Sequence, residues 1–234
     1  MTVPRSWLVA PLLLVLAFTA PAHALGAEPT RGDAVGTFKV QPRVLESVNL
    51  YRAGALVKQY TRYWCVPATT QSMVNLVRGT TNRTYTTQQY MYKKTRQNNL
   101  YTYQSLGNDP KGWAWAVNYF SRGAATYEAR AFSDRGAAIR EIADSIVRTG
   151  HPVGVTVRAG THAWVVLGFK GDIVPGEPST RRVSGFYVSG PLGGPTDPWT
   201  VGFVSIDAFN KAFTPYHEWQ RSVIWEDKFV VISD

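Results

Sequence analysis

The feature that most constrains the fold of this chain is a change in hydrophobic period at Gly150. Before this glycine, apolar residues recur at helical spacing, and the predicted helices span residues 65–78, 88–96, 109–120 and 134–149. After it, β-branched and aromatic runs bounded by glycine or proline predict strands over residues 152–157, 162–169, 185–188 and 228–232. A short helix is predicted over residues 206–213. Helices followed by strands favour an α+β domain, with the helices on one side of an antiparallel sheet.

The N-terminus has the pattern of a cleavable export signal. Arg5 precedes an apolar run from Trp7 to Phe18, and Ala22-His23-Ala24 forms a small-x-small cleavage site. A membrane anchor is the alternative, but the run is shorter than the ~20 apolar residues that span a bilayer. We therefore expect a signal peptide over residues 1–24 and a secreted protein that is not integral to a membrane. Residues 25–45 then form a lead-in to one domain over residues 46–234.

The charge of the chain is strongly positive. Its formal net charge is +9, and loss of Arg5 with the signal lowers this to +8. Outside a cell, such a charge suits anionic wall or surface polymers as partners, although it also serves solubility alone. The basic residues are scattered and no nucleic-acid-binding motif accompanies them, so nucleic acid is not an expected partner.

The single cysteine, Cys65, is the most informative residue for function. A chain with one cysteine forms no internal disulfide, and a free thiol outside the cell is either buried in the core or used chemically. Pro67 suits the first turn of the predicted helix, so Cys65 stands at the helix N-terminus. The unpaired N–H groups at such an end favour the thiolate, which is the nucleophilic form.

A thiol nucleophile also needs a base and donors for the oxyanion. Three histidines follow the signal, and only His162 opens an apolar strand, where it would face a helix end from the rim of the sheet. His151 lies in a Gly-His-Pro turn, and His217 has no strand beside it. Gln59, six residues before Cys65, is a candidate oxyanion donor or an ordinary surface glutamine.

These residues also carry a resemblance to a known family. Gln59 six residues before Cys65-Val66-Pro67-Ala68, then Gly150-His151-Pro152-Val153, then the strand His162–Phe169 resemble the peptidase domain of bacteriocin-processing (double-glycine leader) peptidases and their secreted relatives. The resemblance extends over residues 55–232. It implies a papain-like fold in which N-terminal helices pack on a C-terminal antiparallel sheet. It also implies that Cys65 is the nucleophile, His162 the base and Gln59 the oxyanion donor.

The chain departs from the family pattern at two places. Val66 stands where the family has glycine, and Ser189-Gly190-Pro191 stands where an Asp-Pro would supply the acid that orients the histidine. Asp197, seven residues after Gly190, is the favoured substitute if residues 191–196 form a bulged loop. Ser189, Asp172 and the absence of any third residue are the alternatives.

The sequence thus predicts a secreted, thiol-dependent peptidase or amidase that works through an acyl-enzyme on a peptide or protein substrate. Two alternatives remain. A non-catalytic papain-like domain would use its aromatic residues to bind peptides or cell-wall polymer, and a transglutaminase-like acyl transferase would use an amine in place of water. No cofactor is expected, and the scattered histidines show no metal-ligand spacing.

Overall fold

A computed structural model of the chain describes residues 41–101, 107–194, 197, 200–218 and 223–234. The predicted signal peptide and residues 25–40 of the lead-in lie outside the described residues. No helix within the described part has the length and apolar character that crossing a membrane requires.

The described chain contains five helices and a seven-stranded sheet. The helices are α1 (Cys65–Arg78), α2 (Tyr85–Gln97), α3 (Pro110–Ser121), α4 (Arg135–Thr149) and α5 (Ile206–Ala212). The strands are β1 (Val44–Asn49), β2 (Glu128–Phe132), β3 (Val153–Val157), β4 (His162–Val174), β5 (Glu177–Ser189), β6 (Gly202–Ser205) and β7 (Phe229–Ser233). The predicted α+β class is confirmed.

Helix boundaries follow from residues that satisfy the free backbone groups at the helix ends. The side chains of Asp109 and Asp134 accept hydrogen bonds from the first turns of α3 and α4, which begin just after them. Gly79 and Gly150 end α1 and α4 in the left-handed conformation that glycine adopts without steric cost. These signals explain why the predicted bounds of α1 and α4 lie close to the observed ones.

All strand pairs described are antiparallel, in the order β2-β7-β3-β4-β5-β6. Strand β4 is the centre of the sheet. Its first half pairs with β3, its second half pairs with β1, and β5 runs along its other side. His162 lies at the first position of β4, opposite Val157 of β3. The base predicted from the sequence therefore stands at the rim of the sheet, as a strand-opening residue should.

The helices cover both faces of the sheet, which differs from the expectation that they gather on one side. Ala163, Val165 and Leu167 of β4 pack in one core with α1, α2 and α3. Trp164 and Val166 point to the other face, where they share a second core with α4 and α5. Since side chains alternate along a strand, a strand buried on both faces reads as continuously apolar. The sequence therefore did not reveal which helix covers which face.

A buried arginine fixes the far end of the sheet. Arg181 of β5 pairs with Glu46 of β1, at 2.7 Å from Nε to Oε2, and also with Asp144 of α4. Its side chain is 5 % exposed, so one buried guanidinium links β1, β5 and α4. This arrangement lies away from His162 and serves the frame of the domain.

Candidate active site

Cys65 is the first residue of α1, as predicted, and is half-buried. The residue before it, Trp64, makes no side-chain hydrogen bond to the helix end, and Pro67 has no N–H to offer. The N–H groups of Cys65 and Val66 are therefore not capped by Trp64. A helix terminus of this kind favours negative charge next to it. The thiol thus lies where an anion is stabilised.

His162 lies between Cys65 and Asp197. Nε2 of its ring is 2.6 Å from Oδ2 of Asp197, and Cys65 lies close enough to raise the pKa of the ring. The Asp197 contact is close but poorly aligned for a hydrogen bond, so it is best described as an ion pair. Both side chains are almost fully buried, at 6 % and 3 % exposure. The structure thus brings together the cysteine, the histidine and the acid that the sequence favoured.

The protonation of His162 reflects these two neighbours. Burial lowers the pKa of His162, but contact with Asp197 and Cys65 outweighs burial and raises the pKa to about 9. Negative charge on either neighbour favours the imidazolium, because opposite charges at short range stabilise each other. The ring is therefore protonated at neutral pH, and it can donate to both sides.

Gln59 is tied to the segment that follows β5. Its backbone N–H donates to the carbonyl of Pro191 at 2.9 Å, and its side-chain Nε2 donates to the carbonyl of Thr61 at 2.7 Å. Its carboxamide oxygen is buried, with no hydrogen-bond partner among the described residues. One amide hydrogen remains beyond the bond to Thr61. Gln59 as the oxyanion donor stays a prediction.

The hairpin that joins β3 to β4 has an unusual backbone. Arg158, Ala159 and Gly160 all have positive φ, at 54°, 55° and 82°. Arg158 N donates to Ala212 O at 2.8 Å, and Ala159 O accepts from His217 N at 3.1 Å. These bonds hold a conformation that costs on the order of 1 kcal/mol or more for each non-glycine residue. The hairpin also places Nη2 of Arg158 3.5 Å from Oδ2 of Asp197.

A cleft of about 340 Å³ opens beside the thiol. One wall comes from the start of α1 and from α3, and the other from the start of β4 and residues 216–218. The residues that line it include Arg62, Tyr63, Cys65, Val66, Trp113, Thr156, His162, Ala163, Tyr216, His217 and Glu218. A second hollow of about 480 Å³ lies between α1, α2 and α3, lined by neither Cys65 nor His162. The cleft beside Cys65 and His162 is therefore the candidate substrate site.

The other residues considered from the sequence lie elsewhere or serve the structure. Asp172 pairs with Arg43 near the far end of β4, and His151 pairs with Asp234 at 2.7 Å. His217 lines the cleft but pairs with Glu226. Val66 is buried at 6 % exposure and packs in the core between α1 and the sheet. The family's glycine is thus replaced here by a side chain that adds to the core and to one cleft wall.

One residue at the site was not singled out by sequence reasoning, and a second was noticed for another reason. Arg158 is an ordinary hairpin arginine in the sequence, and no pattern marks it. Gly190 was noticed only because it occupies the place of an expected acid. Within the described residues, no group of three or more His, Cys, Asp or Glu side chains is placed to hold a metal ion.

Comparison with known proteins supports the resemblance. None of the curated proteins compared with this chain matches it. Residues 53–199, more than half of the chain, match the Peptidase_C39 like family. This segment contains Gln59, Cys65, His162, Gly190 and Asp197. The chain therefore belongs to the Peptidase_C39-like family of papain-like cysteine peptidases.

Proposed function

We propose that this protein is a thiol-dependent hydrolase that cleaves a peptide or amide bond through an acyl-enzyme at Cys65. The observation that carries the proposal is the contact of a cysteine at a helix N-terminus with a histidine that in turn pairs with a buried aspartate. Membership of a peptidase family supports the same conclusion. The cleft beside the thiol gives a substrate access.

The reactive state is a thiolate next to the His162 imidazolium. The sulfur adds to the substrate carbonyl carbon, and the negative charge moves to the carbonyl oxygen. The Cys65 backbone N–H and the free amide hydrogen of Gln59 are the proposed donors to that oxygen. His162 then gives its proton to the leaving amine, the C–N bond breaks, and a thioester remains. Neutral His162 takes a proton from water, the hydroxide oxygen adds to the thioester, and the acid leaves as the thiolate re-forms.

Asp197 contributes to the reaction through His162. Its carboxylate lies against Nε2 and so leaves the other ring nitrogen for Cys65. It also stabilises the imidazolium, which explains why the pKa of His162 is raised although the ring is buried. We propose that Asp197 has a positioning and electrostatic role, because the proton moves between His162 and the substrate or water and is never taken by Asp197.

The test uses a probe that needs no knowledge of the substrate. Iodoacetamide alkylates thiolates, so we expect the folded protein to be alkylated at Cys65 at pH 6, where an unperturbed thiol of pKa ~8.5 is almost fully protonated. Cys65→Ala should abolish both labelling and turnover of a peptide library analysed by mass spectrometry, without loss of the fold. A thiol that reacts only after denaturation would contradict the proposal.

The same library separates hydrolysis from acyl transfer. Adding a primary amine such as glycinamide should leave the free acid as the main product if water is the acceptor. A dominant amide adduct would instead favour the acyl transferase. Mass spectrometry of the intact protein should detect a peptide joined to Cys65 as a thioester, and this species should disappear with time in water. A domain that only binds peptides would form no such species.

Export remains part of the proposal. It depends on the pattern of residues 1–24. N-terminal sequencing of the protein recovered from a culture medium should begin at or near Leu25. Protein found only with the cells and still carrying Met1 would contradict export.

A further inference from the structure

The residue immediately after β5 has no room for a side chain. A Cβ atom built on Gly190 would lie 1.6 Å from Oδ1 of Asp197 and 2.6 Å from its Cγ. Real Cβ atoms essentially never approach another heavy atom within 3.0 Å. The carboxylate of Asp197 therefore occupies the volume that the first atom of any side chain at position 190 would fill.

Space, and not backbone conformation, explains this glycine. Gly193 and Gly194 have positive φ, at 82° and 118°, which most other residues avoid. Gly190 is not among the residues with positive φ, so its backbone is open to any residue. The carboxylate that crosses above it is the specific obstacle.

Position 190 is also close to the histidine in the register of the sheet. Ser189, the last residue of β5, lies opposite Val165 of β4. A side chain at position 190 would therefore start beside Trp164, two residues along β4 from His162, and Nε1 of Trp164 is 2.7 Å from the Cβ built there. The first atom of a side chain at position 190 would therefore lie where the carboxylate of Asp197 now ends, beside the histidine.

We propose that Gly190 and Asp197 are one positioning unit, in which the carboxylate that orients His162 reaches it from position 197 through the space that Gly190 leaves empty. It follows that the carboxylate can be moved: an aspartate at position 190 replaces the one at position 197. This inference rests on the proposed function and deepens it, since it identifies how the third residue of the site is supplied.

The neighbours of the carboxylate are shared by the two positions. Nη2 of Arg158 lies 3.5 Å from Asp197, and Nε1 of Trp164 is buried with no hydrogen-bond partner among the described residues. Both are donors that a relocated carboxylate can use. The remaining titratable or charged groups around His162 are Cys65 on α1 and, along the cleft, Arg62, His217 and Glu218, and none of these changes in the variants below.

The experiment exchanges the carboxylate between the two positions. The variants are Asp197→Ala, Gly190→Asp and the double variant Gly190→Asp/Asp197→Ala, each as the full chain. The rate constant for alkylation of Cys65 by iodoacetamide is measured from pH 4 to pH 10. Loss of the carboxylate destabilises the imidazolium, so Asp197→Ala should lower the rate at pH 6 by at least fivefold. The double variant should return it to within about threefold of the unaltered chain.

A second pair of variants keeps the test decisive if an aspartate at position 190 prevents folding. Gly190→Ala adds only the Cβ atom, which collides with Asp197 and with Trp164. In the Asp197→Ala background the first collision is gone and the second remains. We therefore expect Gly190→Ala to lower the alkylation rate several-fold in the unaltered chain and by less than twofold when Asp197 is already alanine. Equal losses in both backgrounds would overturn the inference.

Failure of this inference and failure of the proposed function give different results. If the unaltered chain is not alkylated at pH 6, the proposed function is wrong. If it is alkylated and Asp197→Ala leaves the pH profile unchanged, or a folded double variant is no better than Asp197→Ala alone, the thiol site stands and the coupling of positions 190 and 197 is overturned. A melting curve for each variant separates these results from unfolding.

Discussion

The two halves of the site are held in different ways. Cys65 and His162 are the first residues of a helix and of a strand, and each is fixed by the packing of a regular element. The acid lies outside any helix or strand, and its place depends on a neighbouring glycine and on an ion pair with Arg158. In this site, a helix and a strand position Cys65 and His162, whereas residues between the regular elements position Asp197.

The largest effect should come from His162, one of the two site residues that a regular element holds in place. His162→Ala removes the base and the imidazolium, so we expect turnover to fall by about 10² to 10⁴, the usual contribution of a general base. His151→Ala is the matched control, since His151 pairs with Asp234 away from the cleft, and it should leave turnover within twofold. Equal losses in both variants, measured as kcat/KM on one peptide, would mean that the assignment of the base is wrong.

A pH-dependent loss of stability should follow from the contact between the two halves. The pKa of His162 is raised from 6.5 to about 9 in the folded protein. A raised pKa contributes stability that is full below pH 6.5 and is lost as the pH rises through about 9. The shift corresponds to about 3 kcal/mol at most. Urea unfolding at pH 6 and pH 10 should show this loss, and Asp197→Ala should show much less of it.

Loss of the Arg181 ion pairs should lower the free energy of unfolding without altering the site. Arg181→Ala leaves Glu46 and Asp144 without their partner, and because both carboxylates reach water we expect about 2 kcal/mol of destabilisation. Arg182→Ala on the same strand removes an exposed arginine and is the control. Arg181→Ala should keep the pH profile of Cys65 alkylation below its melting temperature. A changed pH profile would show that the Arg181 ion pairs and the site are coupled.

The smallest effect should come from Arg158, the hairpin residue that pairs with Asp197. Its side chain is 40 % exposed, so Arg158→Gln should change stability by less than about 1 kcal/mol. Removing its positive charge leaves Asp197 freer to stabilise the imidazolium. The pKa of His162, followed by NMR, should therefore rise slightly, the opposite of the change in Asp197→Ala. Arg140→Gln, remote on α4, should leave it unchanged.

The sequence predicted the parts of the molecule that depend on local rules. Helix α4 was delimited by Asp134 and Gly150, and β4 was marked by a long apolar run after His162. The strands β1, β2 and β6 were not predicted. Each is short and largely half-exposed or exposed, so it lacks the apolar run that marks a central strand.

Asp197 shows a second limit of prediction from the sequence. Asp197 was favoured through its distance from a missing Asp-Pro, but the reason that it reaches His162 is the empty volume above Gly190. No periodicity or cap encodes that volume, because it arises from two loop residues that meet in three dimensions. Arg158 was missed for the same reason.

The positive-φ hairpin at Arg158–Gly160 also connects the site to a distant part of the chain. A hairpin with this backbone is unfavourable on its own, and it is held by bonds to Ala212 and His217 near the end of the chain. His162 follows one residue after it, so the place of His162 at the rim of the sheet depends on contacts with residues much later in the chain. Release of residues 212–217 would therefore loosen the hairpin beside His162, which links the geometry of the site to a segment far from it in the sequence.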